Sequence, residues 1–231
     1  MRAARTIFIK QAKDMRNNPI ALLPFIIFPV VALVMTLLIA RDNPDIPDNL
    51  FVTMMAAIFA GFGLLQSATA IISEDIEKKS LRFLVMAGVK PHEYLMGIGG
   101  FLLVAGVIVS LVFALIAGLN GLDMVKFLTV MIASCAASII LGATLGMLSK
   151  NQQAAAALSV PIAAVLGFTP MIAAFNETVE KVASVLYTQQ LNVIANDLSA
   201  NFGKAMLVII ANIVVLTVLF ILAYRSKGLR G

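Results

Sequence analysis

Charge is what this sequence has least of. Only 13% of its 231 residues are Asp, Glu, Lys or Arg, and 61% are hydrophobic. A soluble domain carries about 25% charged and about 45–50% apolar residues. The shortage is also localised. Six apolar runs, roughly 20–40, 50–72, 97–119, 127–149, 154–175 and 205–224, contain no Asp, Glu, Lys, Arg or His at all. Each is long enough to cross the hydrocarbon core of a bilayer as a helix. With a mean hydropathy of +0.99, the chain reads as an all-α integral membrane protein, a single transmembrane domain over 1–231 with no room for a second, soluble one.

Other scarcities exclude chemistry. Cys135 is the only cysteine and lies deep in an apolar run, so no intrachain disulfide forms and the thiol reads as a buried structural one. His92 is the only histidine and sits in a polar turn beside Glu93. No Ser/His/Asp set, Cys/His cluster or paired intramembrane carboxylate exists, so no catalytic residue and no metal site is expected. The phosphate-binding pattern GxxxxGK[ST] is missing. Its nearest fragment, "NFGKAM" at 201–206, has Ala205 where Ser or Thr is required. Spans without ionisable groups also weigh against a transporter driven by an ion gradient, because such proteins place their relays inside the membrane.

The charge that is present is sorted. With the N-terminus inside, 13 of the 17 Lys and Arg residues fall on the inner side of the six spans, and only Arg41, Lys126, Lys181 and Lys204 fall outside. Short-loop basic residues set orientation, so both termini are expected in the cytoplasm, and the net charge of +5 is a topology signal. It forms no nucleic-acid stripe. The expected location is the plasma (inner) membrane of a bacterium.

Residues 1–19 carry Arg2, Arg5, Lys10, Lys13 and Arg16 on one helical face, opposite Ala4, Ile7, Phe8 and Met15, with Ile9 out of place. This pattern predicts a helix lying among the lipid headgroups, ended by Pro19. The following run of about 21 residues is longer than a signal-peptide core, so it is expected to be retained as the first span.

The densest charge lies in "SEDIEKKSLRFLVMAGVKPHEYLMG", residues 73–97. Ser73 reads as an N-cap followed by acids, and Glu74–Lys78 and Asp75–Lys79 as i,i+4 pairs. A helix of about three to four turns is expected, broken at Gly88 and Pro91. Phe83, Leu84, Val85 and Met86 on such a helix need a cover, either lipid or a cytosolic protein.

Here the sequence resembles the ABC-2 type transporter permeases, the membrane subunits of ATP-binding-cassette exporters. Glu77 and Lys78 match the acid and base of the family's loop after the second span; Ser80 and Leu81 match its "TL", and Leu84 a leucine. Pro91, Glu93 and Gly97 match its end. Lys79 stands where glycine is usual, Gly88 where proline is, and Ile98 where lysine is. The resemblance implies a cytoplasmic coupling helix within 73–96, docked on a separate nucleotide-binding subunit through Glu74, Glu77, Lys78, Lys79, Arg82, Phe83, Pro91 and Glu93. It implies two cytosolic ATPases that bind ATP and Mg, and a second permease, a copy or a related chain.

The outer segment 176–203 shows two short amphipathic patterns, Val179, Val182, Ala183, Leu186 and then Leu191, Ile194, Ala195, Leu198. These are similar to the family's outer helices that dip back over the translocation path. Ser134, Ser138, Gly142 and Gly146, each four apart, mark a close helix contact, expected within the chain rather than between subunits. Pro161, Gly167 and Pro170 predict a kinked or broken fifth span. By the family resemblance, Phe59, Phe62, Phe168 and Met171 are the candidates for the path of an amphipathic or hydrophobic cargo: a drug, a peptide or a lipid-linked molecule. The alternatives are an ion-gradient-driven secondary transporter, or a membrane scaffold or immunity protein that passes no cargo.

Overall fold

The computed structural model describes residues 2–43, 46–47, 49–199 and 201–228. The secondary structure among them is helical. The basic segment forms α1 (Arg2–Asn17), and Pro19 opens a tight turn that leads into α2 (Leu23–Met35). A widened turn over Thr36–Ala40 completes the first span. The second span is α3 (Leu50–Ile58), a widened turn at Phe59–Leu64, and α4 (Leu65–Glu77). A short α5 (Ser80–Met86) precedes α6 (Pro91–Ile116) and α7 (Gly121–Leu148). After α8 (Gln152–Ala173) come α9 (Glu177–Ala183), α10 (Tyr187–Asn196) and α11 (Phe202–Gly228).

Six helices among the described residues are long and apolar enough to cross a membrane: Pro19–Ala40, Leu50–Glu77, His92–Ile116, Gly121–Leu148, Gln152–Ala173 and Phe202–Arg225. Even the count of spans puts α1 and the end of α11 at the same end of the bundle, along with α5. The α9–α10 hairpin occupies the opposite end.

The stripe on α7 packs within the chain. A Cβ added at Gly142 would lie 2.3 Å from the Leu65 carbonyl oxygen, and one at Gly146 would lie 3.0 Å from that of Thr69. The Thr69 hydroxyl is within bonding distance of both Leu65 O (2.9 Å) and Gly142 O (3.0 Å), fastening α4 to α7 at the point of closest approach. Gly61, in the widened turn, faces Gly167 of α8 in the same way: its Cβ would stand 2.8 Å from the Gly167 nitrogen. Here the expected break in the fifth span is corrected. Helix α8 runs unbroken through Pro161 and Pro170, and the irregular turns fall in the first two spans. Close packing of Gly61 on Leu166 and Gly167 supports α8 next to Pro170, where proline removes a backbone bond. Cys135 is fully buried in α7.

Candidate functional site

The charged segment after the second span is built differently from the helix its sequence predicts. Ser73 does not begin a helix; α4 passes through it, and its hydroxyl donates to Ala70 O (3.0 Å) within that helix. The helix ends at Lys78–Lys79, where Lys79 adopts a left-handed backbone (φ 59°) and its N–H closes the turn on Ile76 O (3.0 Å). Glycine takes this conformation without a steric penalty, which explains its usual presence there. Gly88 (φ 79°) ends α5 in the same manner, with the Val89 N–H bonded to Leu84 O at 3.0 Å. The separate helix in this segment is therefore the two turns of α5.

Of the two expected ion pairs, Glu74–Lys78 forms, and the Glu74 carboxylate holds the exposed Lys78 ammonium above its ordinary range. Asp75 does not pair with Lys79. It points inward at 4% exposure. One carboxylate oxygen accepts from Lys10 Nζ (2.9 Å) and Ser80 Oγ (2.7 Å), the other from the Tyr94 hydroxyl (2.9 Å). A single carboxylate thus ties α1, α5 and α6 to the end of α4. The Tyr94 ring meets that of Tyr224 (centroids 6.1 Å apart), whose hydroxyl donates to Val89 O (3.1 Å), bringing in α11. Charge-assisted bonds of this kind are about twice as strong as neutral ones.

The remaining acids also face structure. Glu77 accepts from the first N–H of α8, Gln152 N, at 2.9 Å, where the helix dipole favours a carboxylate. Glu93 accepts from Lys90 N (3.4 Å) at the start of α6. Pro91 opens α6, where a missing N–H suits the first turn; its side chain lies outside the described residues. Lys79 and Arg82 are exposed, and so are Phe83 (69%) and Met86 (76%). Leu81, on the opposite face of α5, is buried. The exposed side chains on and just before α5 thus include Lys79, Arg82, Phe83 and Met86, with the exposed Glu77 bonded to the start of α8.

Helix α1 seats its apolar face on the third span. Ile7 and Met15 are buried, a Cβ on Gly97 would meet Ile7 at 2.7 Å, and Phe8 packs edge-on against Phe101 (5.6 Å). Ile9 is 44% exposed, as its place in the pattern foretells. Arg5, Lys13 and Arg16 are exposed, whereas Lys10 turns to Asp75. The Arg2 side chain lies outside the described residues.

The four aromatic and methionine candidates divide. Phe59 is fully buried among Phe25, Phe28 and Phe113, with centroids 5.9 to 6.1 Å apart, a core position. Phe62 is half-buried and pairs with Phe168 across the Gly61–Gly167 crossing (6.3 Å). Phe168 and Met171 are each 42% exposed on α8.

At the opposite end, Asn176 caps α9 (3.0 and 3.1 Å to the Thr178 and Val179 N–H groups). Val182 is 73% exposed, so the predicted stripe of α9 does not pack as a unit. Helix α10 is buried despite its polar sequence. The Tyr187 hydroxyl meets Ser138 Oγ at 2.7 Å, and the Thr53 hydroxyl donates to Asn196 (2.9 Å). Burial pushes the Tyr187 hydroxyl well above its usual range, so this contact stays neutral. Among the described residues, no cluster of metal-ligating side chains comes together.

A family model described as ABC-2 family transporter protein matches residues 43–225 of the chain. A comparison with curated proteins finds no match.

Proposed function

Because this chain belongs to the ABC-2 transporter family, we propose that it is the membrane subunit of an ATP-driven exporter, coupled through α5 to separate ATPase subunits. Membership implies association with an ABC ATPase and often dimerisation. On this reading the assembly holds two cytosolic ATPases, each binding ATP and Mg, and a second permease, either a copy or a related chain. Both termini and α5 face the cytoplasm, following the asymmetry of Lys and Arg, and the complex sits in the plasma membrane of a bacterium.

The observation that carries this reading is the exposed face of α5. Phe83 and Met86 stand out at 69% and 76% exposure beside Lys79 and Arg82. Large apolar side chains ringed by charge mark a protein contact. The nearby acids are engaged elsewhere: Glu74 with Lys78, Asp75 with Lys10, Ser80 and Tyr94, and Glu77 and Glu93 at helix starts. The complementary surface is therefore an apolar groove with an acidic rim. When two ATPases close on ATP, force on α5 passes through Asp75 to α1 and α6 and through Val89 to α11. Phe62, Phe168 and Met171, backed by Phe59, would then face an amphipathic cargo between two permeases.

Arg82→Glu combined with Phe83→Ser tests the coupling. Both side chains are exposed, so insertion should be unchanged, while co-purification of an ATPase from the native membrane should fall about tenfold or more. Undiminished co-purification and transport in this variant would overturn the docking role.

A further inference from the structure

We propose that the cleft between α1 and the end of α4 binds the headgroup of an amine-bearing zwitterionic phospholipid of the ethanolamine type. This site is separate from the exposed face of α5 and does not rest on the exporter reading.

The cleft has a volume of about 520 Å³ and two kinds of wall. Ala21, Ile71 and Phe101, from the first three spans, make one part apolar. Lys10, Asp14, Glu74, Asp75 and Lys78 make the other part charged. A cavity whose apolar half continues the spans and whose polar half lies at their charged end suits an amphiphile at the bilayer surface, not a freely soluble solute.

The charges select among headgroups. Two ammonium groups face three carboxylates, a formal excess of one negative charge, so a purely anionic lipid meets a repelling wall. Asp14 and Glu74 each engage one oxygen with Lys10 (3.8 Å) and Lys78, and at 56% and 45% exposure each leaves its second oxygen to accept from a ligand ammonium. Lys10 and Lys78 can donate to a phosphate while keeping their carboxylate partners. A quaternary ammonium has no N–H to donate, so a choline headgroup fits less well.

Gln11 provides an independent indication. It lines the cleft at 6% exposure, and its carboxamide makes no hydrogen bond among the described residues. A headgroup phosphate or ammonium in the cleft would satisfy it.

The full chain, reconstituted in vesicles of equal phosphatidylethanolamine and phosphatidylglycerol and then extracted, can be weighed with its retained lipid by native mass spectrometry. One phosphatidylethanolamine per chain should be kept, preferred about tenfold, and Gln11→Leu with Asp14→Asn should abolish the preference. Ala21→Trp, which fills the apolar half and leaves the charged wall intact, should also expel the lipid; it serves if the double variant fails to fold. Equal retention of both lipids, or a preference unchanged in the variants, would overturn the site. Displacement of the lipid by millimolar O-phosphoethanolamine would overturn the lipid assignment in favour of a soluble ligand.

Discussion

The two ends of the bundle are fastened in opposite ways. At the end holding α1 and α5, one buried carboxylate gathers an ammonium and two hydroxyls from three other helices. At the end holding α9 and α10, the links are mostly neutral: Tyr187 with Ser138 and Thr53 with Asn196, joined by Lys126, which donates to the Leu198 carbonyl (2.8 Å). A carboxylate hub is strong and directional, and losing it leaves several groups stranded at once. Neutral pairs are individually weak and seal the far end by number. On the proposed exporter reading, the first arrangement would suit the end where force enters and the second an end that stays closed until the spans move.

The sharpest way to break this contrast is Asp75→Ala. It strands Tyr94, Ser80 and Lys10 together and should lower stability in detergent by about 3 kcal/mol, at the low end for a broken buried pair because Lys10 is half exposed and can turn to water. A thermal or SDS denaturation series checks it; a loss under about 1 kcal/mol, the value of one neutral bond, would mean that the hub is not a hub. Tyr187→Phe removes one neutral link at the other end and should cost about 1 kcal/mol, measured the same way. Smallest, and opposite in sign, is Lys79→Gly, which relieves a left-handed lysine (φ 59°) and should raise stability by up to about 1 kcal/mol.

Much of the fold is legible in the sequence because the bilayer imposes a length on every span. The runs around 20–40, 97–119 and 205–224 differ from the observed helices mainly at their ends. The second span shows why the ends escape. A scan for uncharged residues stops at Ser73, yet the backbone ladder continues to Glu77, since charge at the membrane surface does not stop a helix. The N-cap signal at Ser73 fails for a related reason: a serine inside a helix can satisfy its hydroxyl on the preceding turn.

The site was legible only where its chemistry is local. Glu74–Lys78 and the breaks at Gly88 and Pro91 are spaced within a few residues and can be read directly. Asp75 was missed as a hub because Lys10 and Tyr94 lie 65 and 19 residues away, and no short pattern joins them. Phe59 and Phe62, three apart, look equivalent in the sequence. The widened turn that starts at Phe59 puts one in the core and leaves the other beside Phe168.

The complete enclosure of Cys135 has a practical corollary. A thiol introduced on the surface, for instance at Phe83 or Val182, would be the sole group reached by a maleimide, with no native residue to remove first. Sidedness of each end, and the separation between paired spin labels as the chain works, thus become measurable on an otherwise natural sequence.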